Sequence, residues 1–142
     1  MRDSLSDSLI VFYHQFPLTN AHPLALAAAE GAVCAAQQGR FSELHHALFA
    51  ASLRGDSIAW QPLVAQAGII DTALFEQCIR SPATKAQVET ERQSGIDLRL
   101  GGTPGLLIAQ HLQVGGTTAA ELIRRLRKAR SAIATRLRQA RH

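Results

Sequence analysis

Only three short segments of this 142-residue chain read as β-strand, and the long stretch between them is patterned for helices, which confines the chain to a predominantly helical α/β fold. The first, Leu9-Ile10-Val11-Phe12-Tyr13, is a continuous apolar run of β-branched and aromatic residues that predicts a buried strand ended by Phe16-Pro17. The other two, Leu106-Leu107-Ile108 and Leu112-Gln113-Val114, follow the breaker cluster Gly101-Gly102-Thr103-Pro104-Gly105. They predict a pair of short antiparallel strands that turns near Gln110-His111. Aromatic residues make up 5% of the chain while alanine and leucine crowd many segments, which favours helix because these side chains lose little freedom there.

The helices announce their ends. Pro23 suits a first helical position and the alanine-rich stretch to Gln38 stops at Gly39. Ser42 can cap a second helix to about Leu53, with Phe41, Leu44, His45, Leu48 and Phe49 on its inward face. A third covers Trp60 to Ala67 and stops at Gly68. Asp71 caps a fourth that turns Leu74, Phe75 and Cys78 or Ile79 inward, and Ser81-Pro82 opens a polar fifth that runs to about Gly95. Thr118 and Glu121 have capping-box spacing before a terminal helix whose Leu122, Leu126, Ala129, Ile133 and Leu137 form one apolar stripe. No repeat or linker divides the chain, so residues 1–142 are expected to form one domain.

The net charge of +4 is unevenly placed. Residues 121–142 hold eight bases and one acid, a surplus of +7, whereas residues 1–120 hold seven bases and ten acids, or −3. The charge pattern reads as the solvated outer face of a closing helix, the alternative being contact by charge alone with an acidic partner, anionic lipid or nucleic acid. With no aromatic residue interleaved it does not predict nucleic-acid binding, and no apolar run long enough to span a bilayer makes a membrane partner expected. The segment Met1-Arg2-Asp3-Ser4-Leu5-Ser6-Asp7 lacks the basic end and apolar core of a secretory signal, so a cytoplasmic location is expected of the chain as written. An exported or periplasmic one is expected if the natural start lies upstream. Two cysteines so far apart exclude a zinc site. Glu43 and His46 have the spacing of a carboxylate-histidine metal helix, but one such element without a second predicts no metal, and no cofactor is expected. His14 and His22 read as surface residues.

The order strand, helical block, Thr-Pro turn, hairpin and final helix resembles the later part of the thioredoxin fold carrying the helical insertion of the DsbA-like family. Phe16-Pro17-Leu18 with His22-Pro23 is similar to that family's segment after its second strand. Glu30 to Phe41, with Cys34, Gln38 and Gly39, is similar to its first insertion helix, and Gly102-Thr103-Pro104 to its cis-proline loop. The resemblance implies insertion helices over about 23–95, then the cis-proline loop, hairpin and final helix over about 101–142. It also implies that Thr103 and Pro104 shape a groove for an extended polypeptide substrate, and it makes Cys34 and Cys78, on two insertion helices, candidates either for a structural disulfide or for two buried free thiols.

The chain departs from the family where the chemistry would be. The strand and Cys-x-x-Cys helix that precede the family's second strand are absent, so the resemblance implies a thioredoxin-like fold truncated at its N-terminus and a thiol–disulfide oxidoreductase without its nucleophile. No residue is therefore assigned a catalytic role. The absent strand would lie in the middle of the sheet, leaving backbone groups open for a partner strand or for a second copy of the chain. The alternative is a non-catalytic peptide-binding or assembly module with the same fold. A weaker one is the related group of glutathione-using transferases and isomerases. Gly105 stands where the family usually has a larger residue, and the turn lacks the Asn-Gly often found there.

Overall fold

The computed structural model describes residues 10–53 and 57–140 and divides the chain into two compact units. One runs from His14 to Ile96. The other contains residues 10–13 and the segment from Asp97 onward.

The larger unit is helical: α1 (Ala25–Gln37), α2 (Phe41–Leu53), α3 (Trp60–Gln66), α4 (Thr72–Arg80) and α5 (Pro82–Asp97), the last crossing its boundary by one residue. The stop signals act as the sequence predicts, with Gly39 at φ +69° and Gly68 at φ +67°, a left-handed backbone that glycine adopts without a Cβ penalty. Asp71 caps α4, its carboxylate accepting the Leu74 N–H at 2.8 Å. Other starts are displaced from expectation. Pro23 and Leu24 sit in a turn ahead of α1, and α2 begins at Phe41, which puts Ser42 inside the first turn rather than at the cap.

The core gathers α1, α2, α3 and α4 around Ala35, Leu44 and Phe75, all essentially inaccessible. In α2 the buried row is Leu44, Ala47 and Ala51, with Leu48 packed against the core, while Phe49 is 61% exposed. The buried face of α2 is thus rotated from the expected one, toward Ala47 and Ala51 and away from Phe41 and Phe49. Phe41, His45 and Phe49 instead form a ring stack along the outside of α2, with centroid separations of 5.3 and 4.8 Å. In α4 the inward residues are Phe75 and Cys78, and Leu74 is exposed. A second cluster, Ala29 and Val33 with Val88, joins α1 to α5. Because α5 buries only Thr84, Val88 and Gly95, it can be polar over the rest of its surface. The segment before α1 is tied to α5 as well: the Gln15 N–H donates to the Glu91 carboxylate at 2.6 Å, and Phe16 lies against the backbone of Gly95.

In the smaller unit β1 (Gly105–Ile108) and β2 (His111–Val114) pair antiparallel, Gly105 opposite Val114 and Ile108 opposite His111, and α6 (Ala119–Gln139) follows. The turn is Ala109-Gln110, one residue earlier than expected, with both residues left-handed at φ +46° and +74°. The Thr118 hydroxyl accepts the Glu121 N–H at 3.2 Å and caps α6. Glu121 does not complete the capping box, since its carboxylate is engaged by Arg124 and Arg125.

The strand expected at Leu9 to Tyr13 is not formed. Leu9 lies outside the described residues, Ile10 to Tyr13 belong to no strand, and Phe12 is 79% exposed. An apolar β-branched run becomes a strand only when a neighbour takes its backbone groups, and among the described residues β1 and β2 pair only with each other.

Candidate functional site

The loop entering β1 is the strongest candidate for a site. The Thr103–Pro104 peptide is cis, and both residues are exposed. The Pro104 carbonyl is held by the Gly115 N–H at 2.8 Å, which extends the hairpin ladder by one bond and fixes the loop against the end of β2. The Val114 side chain lies beside Gly102 at the same end. Among the described residues the Thr103 N–H and carbonyl make no hydrogen bond. The residue itself is exposed. The Leu100 side chain lies over Gly105, its methyl groups occupying the position a Cβ would take there.

The two cysteines lie elsewhere, in the helical unit. Cys34 on α1 and Cys78 on α4 are joined by a disulfide with an S–S distance of 2.03 Å and Cα atoms 5.7 Å apart, and are only 1% and 7% exposed. Thr84 of α5 sits over the bond. Its hydroxyl donates to the Cys78 carbonyl at 2.7 Å and lies 3.4 Å from the Cys78 sulfur. The disulfide sulfur has no proton to give and the hydroxyl's one proton goes to the carbonyl, so the sulfur and the hydroxyl oxygen are in packing contact. The bond to the carbonyl satisfies a buried hydroxyl at the junction of three helices. A shallow depression beside Cys78, lined by Gln37, Leu74, Gln77, Ser81, Thr84 and Gln87, contains no charged group.

The remaining polar candidates separate. Glu43 is exposed and paired with Arg40 at 3.3 Å, and His46 points to solvent. No group of three metal-ligating side chains occurs among the described residues. His45 is partly covered by its two phenylalanine neighbours. Burial pushes its imidazole below the ordinary value, and the adjacent His46 adds to the shift. His14 and His22 are exposed. On α6 the hydrogen bonds from Arg125 and Arg124 hold Glu121 below the usual carboxylate range, and Arg125 also donates to the Gln113 side chain of β2.

Two features had no separate signal in the sequence. Glu30 of α1 is 7% exposed, with Oε1 unpartnered among the described residues. Gly31, beside it, receives the ring of Trp60 directly on its backbone. Neither periodicity nor motif distinguishes a buried acid or a contact glycine from its neighbours in a run of alanines.

Residues 9–127 match the family of DSBA-like thioredoxin domains. Among curated proteins the chain is similar to the Na(+)/H(+) antiporter NhaA 1 of Mycolicibacterium gilvum, 33% identical over 134 residues that cover 92% of this chain and 21% of that protein. Antiporters of the same name from Mycobacterium sp. strain KMS and Mycolicibacterium vanbaalenii are 32% identical over the same coverage. The chain thus spans about a fifth of the length of the curated relatives it matches. No solved structure matches.

Proposed function

The chain belongs to the DSBA-like thioredoxin domain family, a helical thioredoxin-like α/β fold, and from that premise we propose that it is a thiol–disulfide oxidoreductase-family domain whose 142 residues hold an extended polypeptide but do not themselves attack a disulfide. One observation carries the second half of this reading. Exchange needs an accessible thiolate to displace a sulfur and form a mixed disulfide. The only two cysteines of the sequence are buried and bonded to each other.

The first half rests on the Thr103–Pro104 loop. An exposed residue with an unpaired backbone donor and acceptor, next to a strand with an unpaired edge, is what strand addition requires. A two-stranded hairpin is marginal by itself, so a third strand from a polypeptide ligand, or from a second copy of the chain, would add ladder hydrogen bonds where there are none. The antiporter activity in the relatives' names is not part of the proposal. This chain spans only a fifth of those proteins, and none of its described helices is long and apolar enough to cross a membrane. The buried disulfide favours an oxidising compartment, since such bonds persist where thiols are not kept reduced.

Two measurements test the reading. In reduction of insulin by dithiothreitol the chain should leave the rate at its uncatalysed value, and acceleration would overturn the non-catalytic assignment. In an amide shift titration with an unfolded, carboxymethylated insulin B chain, perturbations should fall on Thr103, Gly105 and the strand edges. Perturbations confined to the helical unit would reject the loop as the binding site. Binding without turnover favours the peptide-binding module over the oxidoreductase proper.

A further inference from the structure

The second half of α6 combines two properties that a solvated outer face does not need together. Ile133 and Leu137 are 49% and 61% exposed, and residues 131–140 are exposed throughout. Yet these side chains continue, at three- and four-residue spacing, the stripe begun by Leu122, Leu126 and Ala129, which are partly covered. The first half of the stripe therefore lies against protein while the second, about 15 Å of helix, faces outward uncovered. On either side of the stripe stand bases. At 100° per residue Arg125 and Arg136 flank one edge and Arg130 the other, while Arg124, Arg127, Lys128 and Arg138 cover the far side. Glu121 is the single acid of α6 and its carboxylate is occupied by Arg124 and Arg125. Among the described residues Arg127, Lys128, Arg136 and Arg138 have no acidic partner.

We propose that α6 is a docking helix for an anionic lipid surface, lying in the plane of the interface with Ile133 and Leu137 buried at the headgroup boundary and the flanking arginines on lipid phosphates. Charge decides between possible occupants. A second copy pairing stripe to stripe would bring together two helices that are each strongly basic, with Glu121 of each already used. Nucleic acid would satisfy the charge but leave the apolar stripe in water. An anionic bilayer takes both, because arginine stems lie along apolar surface while their heads reach phosphate. The helix lies on such a surface and does not span it, being too charged to cross.

Co-sedimentation of the 142-residue chain with vesicles tests this directly. Binding is expected to vesicles of equal parts phosphatidylglycerol and phosphatidylcholine, to be at least about tenfold weaker with phosphatidylcholine alone, and to fall by about tenfold or more on raising salt from about 0.05 to about 0.5 M. Ile133→Ser combined with Leu137→Ser keeps every charge and should weaken binding by about tenfold or more, since it removes the apolar part alone. Arg130→Gln with Arg136→Gln should flatten the salt dependence. All four side chains are exposed, and circular dichroism checks that each variant keeps its helices. Should the serine pair lose structure, Leu137→Trp supplies the same information: its emission should shift to the blue on anionic vesicles and stay unmoved on neutral ones. The proposal is overturned by equal binding to neutral vesicles, by serine variants that bind as the parent does, by tighter binding to a DNA duplex than to anionic vesicles, or by a lipid-free dimer that protects Ile133 and Leu137.

Discussion

The ring of Trp60 rests on the backbone of Gly31, so closely that a Cβ at position 31 would fall 2.5 Å from Trp60 Cζ3. Gly31 is inside α1, where glycine would ordinarily cost about 1 kcal/mol relative to alanine. Trp60 opens α3 and packs edge-on against Phe75 at 5.5 Å, so the ring cannot withdraw without disturbing the core. Gly31→Ala should therefore destabilise the chain by about 2 kcal/mol despite the better helix propensity. The sign separates the two effects. Urea unfolding followed by the emission of Trp60, the only tryptophan, measures it, and a gain in stability would show that the ring moves freely.

The Cys34–Cys78 bond closes a loop across 44 residues of sequence. Replacing both cysteines with serine should cost about 4 kcal/mol on the chain-entropy account; thermal unfolding under non-reducing conditions should show this difference, and added reductant should abolish it. With both cysteines bonded, the native chain should bind no thiol reagent.

His45 makes the helical unit sensitive to acid. Its imidazole titrates below the ordinary value of 6.5, chiefly through burial beside Phe41 and Phe49 and then through His46. As pH falls, the unfolded chain takes up this proton before the folded one does. Stability is therefore complete above 6.5 and declines as pH drops through the folded value. The side chain is partly exposed, so solvent moderates the effect. In His45→Phe the urea midpoint should fall less between about pH 8 and about pH 5 than it does in the parent, and equal falls would remove His45 as a cause.

The turn at Ala109-Gln110 asks two residues with side chains to take a left-handed backbone. Ala109→Asn with Gln110→Gly places there the pair best suited to that geometry and should stabilise the hairpin by about 1 kcal/mol. Slower amide exchange at Ile108 and His111 is the readout, and unchanged exchange would mean that the turn carries no strain.

What the sequence disclosed depended on whether the signal was local. Asp71, Gly39, Gly68 and Thr118 mark element ends through chemistry contained within a few residues, and each acts where it was expected. The buried face of α2 differs from the expected one because Phe41 and Phe49 outweigh alanine in any apolar pattern, while Ala47 and Ala51 are the small residues that let α2 approach its neighbours. The run at Ile10 to Tyr13 has strand chemistry, but strand formation depends on a partner elsewhere in space. Local backbone restriction by glycine and proline marks the break ahead of β1, whereas Thr103 and Pro104 stand as site candidates only through the family resemblance. Glu30 and the Gly31–Trp60 contact were not, since their meaning arises only when α1 and α3 meet.

The disulfide has one more consequence, for the chain's response to a cut. Any single backbone cleavage between Cys34 and Cys78, anywhere in the stretch that contains α2 and α3, would leave two fragments that still travel as one molecule of nearly the original mass. Such a nicked form would escape notice on a non-reducing gel and separate into two bands only when a reductant is added.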